Sequence, residues 1–274
     1  MRLKVQHATT YTYSDPAQSA IQILRLTPRN HDGQYVNFWR VEIDADYRLI
    51  RDEDPFGNIT HTFSLEGPIE TMMIRVEGEV ETTDTNGIIM GTAERIPTGF
   101  WLRDSALTTP DAAIRMFSRR IAAGEGGEAI PFLHALNTAI FNTMKFVPGA
   151  TSVATSATQA FAAKRGVCQD LAQIFVSACR VVKIPARYVG GYYLRTDMVE
   201  QDAGHAWAEA YVEGLGWMGF DPTHDMCTTD RYVRVAYGTD AADAAPIRGA
   251  RIGGHDEALK VEVHVSARRE LVEE

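Results

Sequence analysis

Arg165-Gly-Val-Cys168-Gln-Asp-Leu-Ala-Gln-Ile-Phe175 is the stretch whose reading decides the fold. From Cys168 onward, Leu171, Ile174, Phe175, Ala178, Val181 and Val182 recur at helical spacing. Ala172, Val176 and Cys179 widen that stripe, so the helix should be buried nearly all round. Pro185 stops it. Upstream, Ser156-Ala-Thr-Gln159 has the form of a capping box that opens another helix, and Gly166 reads as the residue that ends it. A tight junction between two helices would place Cys168 in the first turn of the second. The neighbouring backbone N–H groups would point the same way, as in an oxyanion hole.

A thiol in that position needs activating to act as a nucleophile. A free cysteine titrates near pH 8.5, and lowering that to about 4 requires roughly 6 kcal/mol of differential stabilisation. A helix N-terminus supplies at most about 2 kcal/mol. An imidazolium must contribute most of the rest. His205, in Gly204-His-Ala-Trp207-Ala-Glu-Ala-Tyr-Val212, is the candidate, with Asp221 of Gly216-Trp-Met-Gly-Phe-Asp221-Pro-Thr223 to orient its ring.

Both lie in strand-like sequence. His205, Trp207, Glu209 and Tyr211 alternate with small residues and share one face. Glu213-Gly-Leu-Gly216 is a turn, and Pro222 ends the second strand. A hairpin centred on Glu213 puts His205 directly opposite Asp221. An even turn centred after Gly214 puts Asp221 on the wrong face. A Cys-His-Asp triad therefore predicts an odd-length loop or a bulge at Gly214 or Gly216.

Gly166-Val-Cys168-Gln-Asp170, Ile184-Pro-Ala-Arg-Tyr-Val-Gly-Gly-Tyr192, His205-Ala-Trp207 and Phe220-Asp-Pro-Thr223 resemble the bacterial transglutaminase-like family of the papain-like superfamily. Pro148-Gly149 and Thr155-Ser156 extend the resemblance upstream. Arg25-Leu-Thr-Pro28 and Asp54-Pro-Phe-Gly-Asn58 resemble the β-rich domain that precedes the core in such proteins. Tyr237-Gly238 and Ala245-Pro-Ile-Arg-Gly249 continue it beyond the core, so it covers nearly the whole chain. The resemblance implies Cys168 as nucleophile, His205 as base and Asp221 as the base's partner. The chain departs from the family pattern at His224, where Asn is expected, near Phe146, where Tyr is expected, and at Thr239, where Arg is expected.

The expected fold is α+β: an N-terminal antiparallel β-sandwich (residues 1–100), then a papain-like core with a helix packed on an antiparallel sheet (101–274). The first unit should hold strands over Met1–Tyr13, Ser19–Leu26, Tyr35–Ile43, Tyr47–Arg51, Ile59–Leu65 and Met72–Thr82. Residues 84–109 read as a connection. Helices follow, one from Thr109-Pro110 to Gly124 and one over Pro131–Asn142. Leu259-Lys-Val-Glu-Val-His-Val265 alternates as a last strand, assigned to the second unit. The 274 residues suffice for a substantial core, and 45% hydrophobic with 23% charged residues is ordinary globular composition. A formal charge of −9 argues against nucleic-acid or anionic-membrane partners. No run of 18 apolar residues predicts a membrane span, no signal-peptide core opens the chain, and three cysteines form no disulfide framework. A cytoplasmic location is expected, and homo-oligomerisation is left open.

Each candidate also has a plainer reading. Cys179 lies 11 residues along the helix from Cys168, about 16 Å at 1.5 Å per residue, so the two cannot share a zinc ion and Cys179 packs in the core. No metal and no cofactor is expected. His224 and Asp225 read as loop polar residues, Asp170 as a charge in the first helical turn, and Arg187 and Tyr188 as ordinary sheet positions. Trp207 either shields the His205–Asp221 bond, lines a substrate cleft, or packs in the core; Gln169 is a candidate substrate contact. The expected function is acyl transfer through a thioester on a peptide or protein amide such as a glutamine side chain. Either hydrolysis or amine transfer could complete it, and a catalytically silent scaffold is the alternative.

Overall fold

The computed structural model describes residues 1–92, 94–195, 200–201 and 203–267. Among these residues, two antiparallel sheets and four α-helices give the expected α+β architecture. In the first unit, β1 (Arg2–Thr27) and β4 (Ile59–Thr82) run antiparallel along almost their whole length, with β2 (Gln34–Ile43) and β3 (Ile50–Glu53) paired to β4. Each long strand fuses two of the short ones expected from sequence. The turn-like residues between those halves, Ser14-Asp-Pro-Ala-Gln18 and Gly67-Pro68, are absorbed as register shifts at Thr12/Ala17 and Ala17/Ser19. Gly67 is required there, because a Cβ would lie 2.2 Å from the Ala17 carbonyl oxygen. The sheet folds over at this irregularity. Leu24 and Phe63 from one half and Met72, Ile74 and Val76 from the other fill a single core, so the sandwich is one continuous sheet doubled on itself.

The connection contributes β5 (Ile88–Ile89) and a short 3-10 turn at Thr98–Leu102. Then come α1 (Ala112–Gly124), α2 (Ala129–Thr143), β6 (Lys145–Phe146), α3 (Ala157–Ala163), β7 (Arg165–Gly166) and α4 (Cys168–Val181). Asp111 caps α1 by accepting from the Ile114 N–H at 2.9 Å, which leaves Pro110 just outside the helix rather than in its first turn. Strands β8 (Ala186–Tyr193), β10 (His205–Val212), β11 (Gly216–Asp221), β12 (Met226–Cys227) and β13 (Tyr232–Gly238) form the second sheet in the order β12-β11-β10-β8-β13, with β5 on β11. The short β9 (Glu200–Gln201) lies instead in the first sheet. The alternation of β10 explains how α4 packs: Ala206, Ala208 and Ala210 share a core with Leu171, Ile174 and Phe175 of the helix, and their small side chains let it approach closely.

The last strands return to the first sheet. β14 (Ile247–Gly253) pairs with Ala17–Leu24 of β1, and β15 (Ala258–Ala267) pairs with Leu3–Thr12. The final strand is therefore part of the N-terminal sheet, not of the second unit as its position in the chain suggested. Period-2 alternation marks a half-buried strand but does not name its partner. The two units also share one core, in which Leu3, Val5, Val80, Val263 and Val265 pack with Tyr192 and Val233. Asp54-Pro-Phe-Gly-Asn58 is the expected tight turn, with the Asp54 carboxylate accepting from the Phe56 and Asn58 N–H groups. It also docks on β13: Asn58 Nδ2 donates to the Tyr237 carbonyl at 2.7 Å, and the Tyr237 N–H returns a bond to Asn58 Oδ1 at 3.0 Å. Among the described residues no helix is long and apolar enough to cross a membrane.

Candidate active site

Helix α4 begins at Cys168, as its sequence predicts. The Ser156–Gln159 capping box is present on α3. Gly166 plays a different part from the one expected. α3 ends with Lys164 in the left-handed conformation (φ 53°), and Gly166 lies in the parallel pair β6–β7. A Cβ at Gly166 would come within 2.5 Å of Asp170 Oδ2, so the glycine makes room for that carboxylate. Asp170 is fully buried; it accepts from the Val167 N–H at 2.8 Å and from Thr151 Oγ1 at 2.6 Å. Burial pushes its carboxyl up from the usual value, and those two hydrogen bonds oppose the shift. Val167 has no polar side chain to complete a capping box, so Asp170 alone fixes the entry of the helix and ties it to the Thr151 loop. Cys168 is half-buried at that entry. The N–H groups of Cys168 and Gln169 lie in the first turn, where the helix offers no acceptor.

His205 Nε2 is 2.6 Å from Asp221 Oδ2, and the Cys168 thiol is near enough to act on the same ring electrostatically. Burial alone would lower the imidazole pKa. The charge and hydrogen bond of Asp221, and then those of Cys168, outweigh burial and raise it from 6.5 to about 10. Asp221 is fully buried, which favours protonation, yet the facing His205 holds its carboxyl far below the usual range.

The hairpin that brings these residues together has the expected parity and a different centre. Val212 pairs with Gly216 across the loop Glu213-Gly-Leu215, and Gly214 and Gly216 have φ of 84° and 89°. The register runs Ala208↔Phe220 and Glu209↔Gly219, so its continuation sets Asp221 across from Trp207. His205 thus meets Asp221 diagonally on one face, not head-on. The diagonal neighbour in a sheet is within reach of long side chains, which is why odd parity suffices.

Asp221 holds more than His205. Its Oδ2 also receives His224 Nδ1 at 2.7 Å and the Tyr232 hydroxyl at 2.8 Å, and its Oδ1 receives the Thr223 N–H at 2.8 Å. Sequence reasoning missed both side chains. His224 read as a loop polar residue, and Tyr232 reaches the site from β13, a long-range neighbour that no local pattern shows. The one available signal was the departure at His224 itself, three residues after Asp221. The donor atoms of His205, Asp221 and His224 lie within 4.8 Å of one another, the spacing of a metal-ligand set. Here Oδ2 already accepts from both rings and from Tyr232, so a cation would have to displace those bonds.

Trp207 stacks on His205 (ring centroids 6.2 Å) and meets Tyr232 edge-on (5.3 Å). At 1% exposure it covers the His205–Asp221 bond and has no surface to offer a substrate. Gln169 is half-buried beside Cys168, and its Nε2 reaches the Ser152 carbonyl at 3.5 Å. Cys179 is core, and burial pushes its thiol up. Arg187, read as an ordinary sheet position, is fully buried in a charge cluster. Its Nε is 2.6 Å from Glu209 Oε2, Arg234 Nε is 2.6 Å from Glu209 Oε1, and its guanidinium lies 3.9 Å over the Trp217 ring.

Residues 115–222 match the model of the transglutaminase-like superfamily, and residues 3–81 match that of the bacterial transglutaminase-like N-terminal region. The chain belongs to the transglutaminase-like superfamily. Its relatives within it include the uncharacterized protein ML0607 of Mycobacterium leprae (strain TN), 30% identical over 97% of this chain and 98% of that one. Another is Rv2569c of Mycobacterium tuberculosis (strain ATCC 25618 / H37Rv), 31% identical over 90% of this chain and 87% of that one. The fold is similar to a crystal structure described as that of a "Putative Cysteine Protease from Cytophaga hutchinsonii", with TM-score 0.77, 20% identity, and coverage of 97% of this chain and 90% of that one. The match extends over both units of this transglutaminase-like protein, the doubled sheet included.

Proposed function

We propose that this transglutaminase-like protein is a cysteine-dependent acyltransferase acting on peptide or protein amides, with Cys168 as nucleophile, His205 as acid and base, and Asp221 as the partner that holds His205. One observation supports the reading: a single imidazole bonded to a buried carboxylate is raised in pKa both by that carboxylate and by the neighbouring thiol at a helix N-terminus. The imidazolium supplies what the helix dipole lacks for forming a thiolate. In the first step the Cys168 sulfur attacks the amide carbonyl carbon and a C–S bond forms. The N–H groups of Cys168 and Gln169 receive the oxyanion. His205 gives its proton to the departing amine as the C–N bond breaks, leaving a thioester. In the second step His205 takes a proton from water, which attacks the thioester to give the acid and the free thiol. A primary amine in place of water gives a new amide.

Gln169 is assigned to substrate contact, since it lies half-exposed next to the nucleophile. No step in this scheme calls for a cofactor. The test is incubation of the intact chain with a glutamine-containing peptide library, with and without a primary amine, followed by mass spectrometry. Hydrolysis of the side-chain amide adds about 1 Da, amine incorporation adds the amine less ammonia, and backbone cleavage splits the peptide. Any of these, absent in Cys168→Ala, supports the reading. No mass change with any peptide counts against it.

A further inference from the structure

Asp221 Oδ2 is shared. His205 and His224 both bond to this one oxygen, at 2.6 and 2.7 Å, and their ring centroids are 5.1 Å apart. Two imidazoles on one carboxylate oxygen are not independent, because whatever charge one carries, the other feels directly and through the oxygen they share. We infer that His224 is a positioning residue that acts through Asp221: its Nδ1 hydrogen bond braces the carboxylate in the orientation that receives His205. The inference deepens the function proposed above and rests on that reading for its consequence at Cys168.

His224 Nδ1 faces Asp221 and donates to it, and the side chain is 29% exposed. The ring itself is held in place against Tyr193, centroids 4.6 Å apart, and Tyr193 packs against His205 at 5.4 Å. Among the described residues, the titratable groups around it include Asp221, His205, Tyr193 on β8, Tyr232 on β13 through Asp221, and the neighbouring Asp225, which is held by Asn137 and Thr138 of α2. Burial and the Asp221 charge keep the Tyr232 hydroxyl protonated, so it stays a donor throughout. With Oδ2 held by His224 and Tyr232 and Oδ1 by the Thr223 N–H, the carboxylate is fixed in one orientation, and His205 is set against it. Removing the His224 donor frees the carboxylate to turn and weakens its hold on the His205 imidazolium, so Cys168 loses part of its counter-charge.

The experiment compares the full chain with His224→Asn and His224→Ala. Asn keeps a short donor toward Asp221, whereas Ala removes it. Histidine nitrogen chemical shifts are followed by NMR from pH 4.5 to 11, with far-UV circular dichroism as the check on folding. The His205 midpoint should fall by about 1 unit in His224→Ala and return most of the way to the wild-type value in His224→Asn. Cys168 alkylation by iodoacetamide at pH 6 should be about tenfold slower in His224→Ala and recover in His224→Asn. A folded His224→Ala with the wild-type His205 midpoint, or equal losses in both variants, would overturn the inference. If the midpoint moves as expected but His205→Ala alkylates as fast as the wild type, the positioning by His224 stands and the function proposed above fails.

Discussion

Replacing Asp221 with Asn tests how much of the site depends on one carboxylate. His205 is raised from 6.5 to about 10 despite a burial that works against its charged form. That difference amounts to about 5 kcal/mol in favour of the imidazolium at 1.36 kcal/mol per pH unit. Asp221 contributes both a charge and a 2.6 Å bond, ahead of Cys168, so most of this preference should disappear with the charge. Asn keeps the size and one acceptor oxygen, so packing around Trp207 and Tyr232 should survive. The His205 midpoint should fall by at least about 2 units, from near 10 toward or below 6.5, as followed by histidine NMR on folded protein. Repeating the pair in a Cys168→Ser background isolates the Asp221 share. The reasoning is refuted if wild-type His205 already titrates near 6.5, or if Asp221→Asn leaves its midpoint unmoved.

Other predictions concern the frame that holds the site. Glu209→Ala leaves the buried Arg187 and Arg234 without their shared carboxylate; it should cost about 3–5 kcal/mol and lower Tm by roughly 10 °C. A calorimetric Tm within 2 °C of wild type would contradict that. At Gly191, opposite His205, a Cβ would lie 2.0 Å from the Val233 carbonyl oxygen and 2.9 Å from the Trp207 ring. Gly191→Ala should therefore destabilise by about 3 kcal/mol or more, read from urea unfolding; a smaller loss would mean that β13 shifts freely. His7 is buried between Tyr192 and Thr9, and burial lowers it from 6.5 to about 4. The fold favours its neutral form, so its contribution is complete above pH 6.5 and is lost as the pH falls through 4. That amounts to about 3 kcal/mol at the acid end. Urea midpoints from pH 7.5 to 4 should decline less steeply in His7→Gln than in wild type, and parallel slopes would refute this.

The parts of the fold read correctly from sequence are those whose cause is local. A capping box at Ser156, an apolar repeat from Leu171 and a stop at Pro185 place α3 and α4 with no knowledge of the rest of the chain. Parity likewise puts His205 and Asp221 on one face, because with any odd-length loop a side-chain period of two keeps them together whichever residue the hairpin is centred on. What escaped the sequence has distant causes. Ser14-Asp-Pro-Ala-Gln18 has the composition of a turn, but pairing to β4 on one side and β14 on the other carries the strand through it as a bulge. The last strand alternates cleanly, yet its partner is β1, more than 240 residues earlier. Tyr232 and His224 converge on Asp221 only because β13 and the turn after β11 meet there. Arg187 looked like an ordinary sheet position because its compensating charges, Glu209 and Glu94, lie far from it in sequence.

The central claim is that His205 makes the Cys168 thiol a nucleophile. The most direct measurement is the rate of Cys168 carboxamidomethylation from pH 5 to 9, localised by peptide mass spectrometry, in wild type and in His205→Ala. The account predicts rapid alkylation of the wild type at pH 6, faster there than Cys227, and a loss of at least about a hundredfold at that pH in His205→Ala. Alkylation that rises only above pH 8, with the same profile in both proteins, would contradict it.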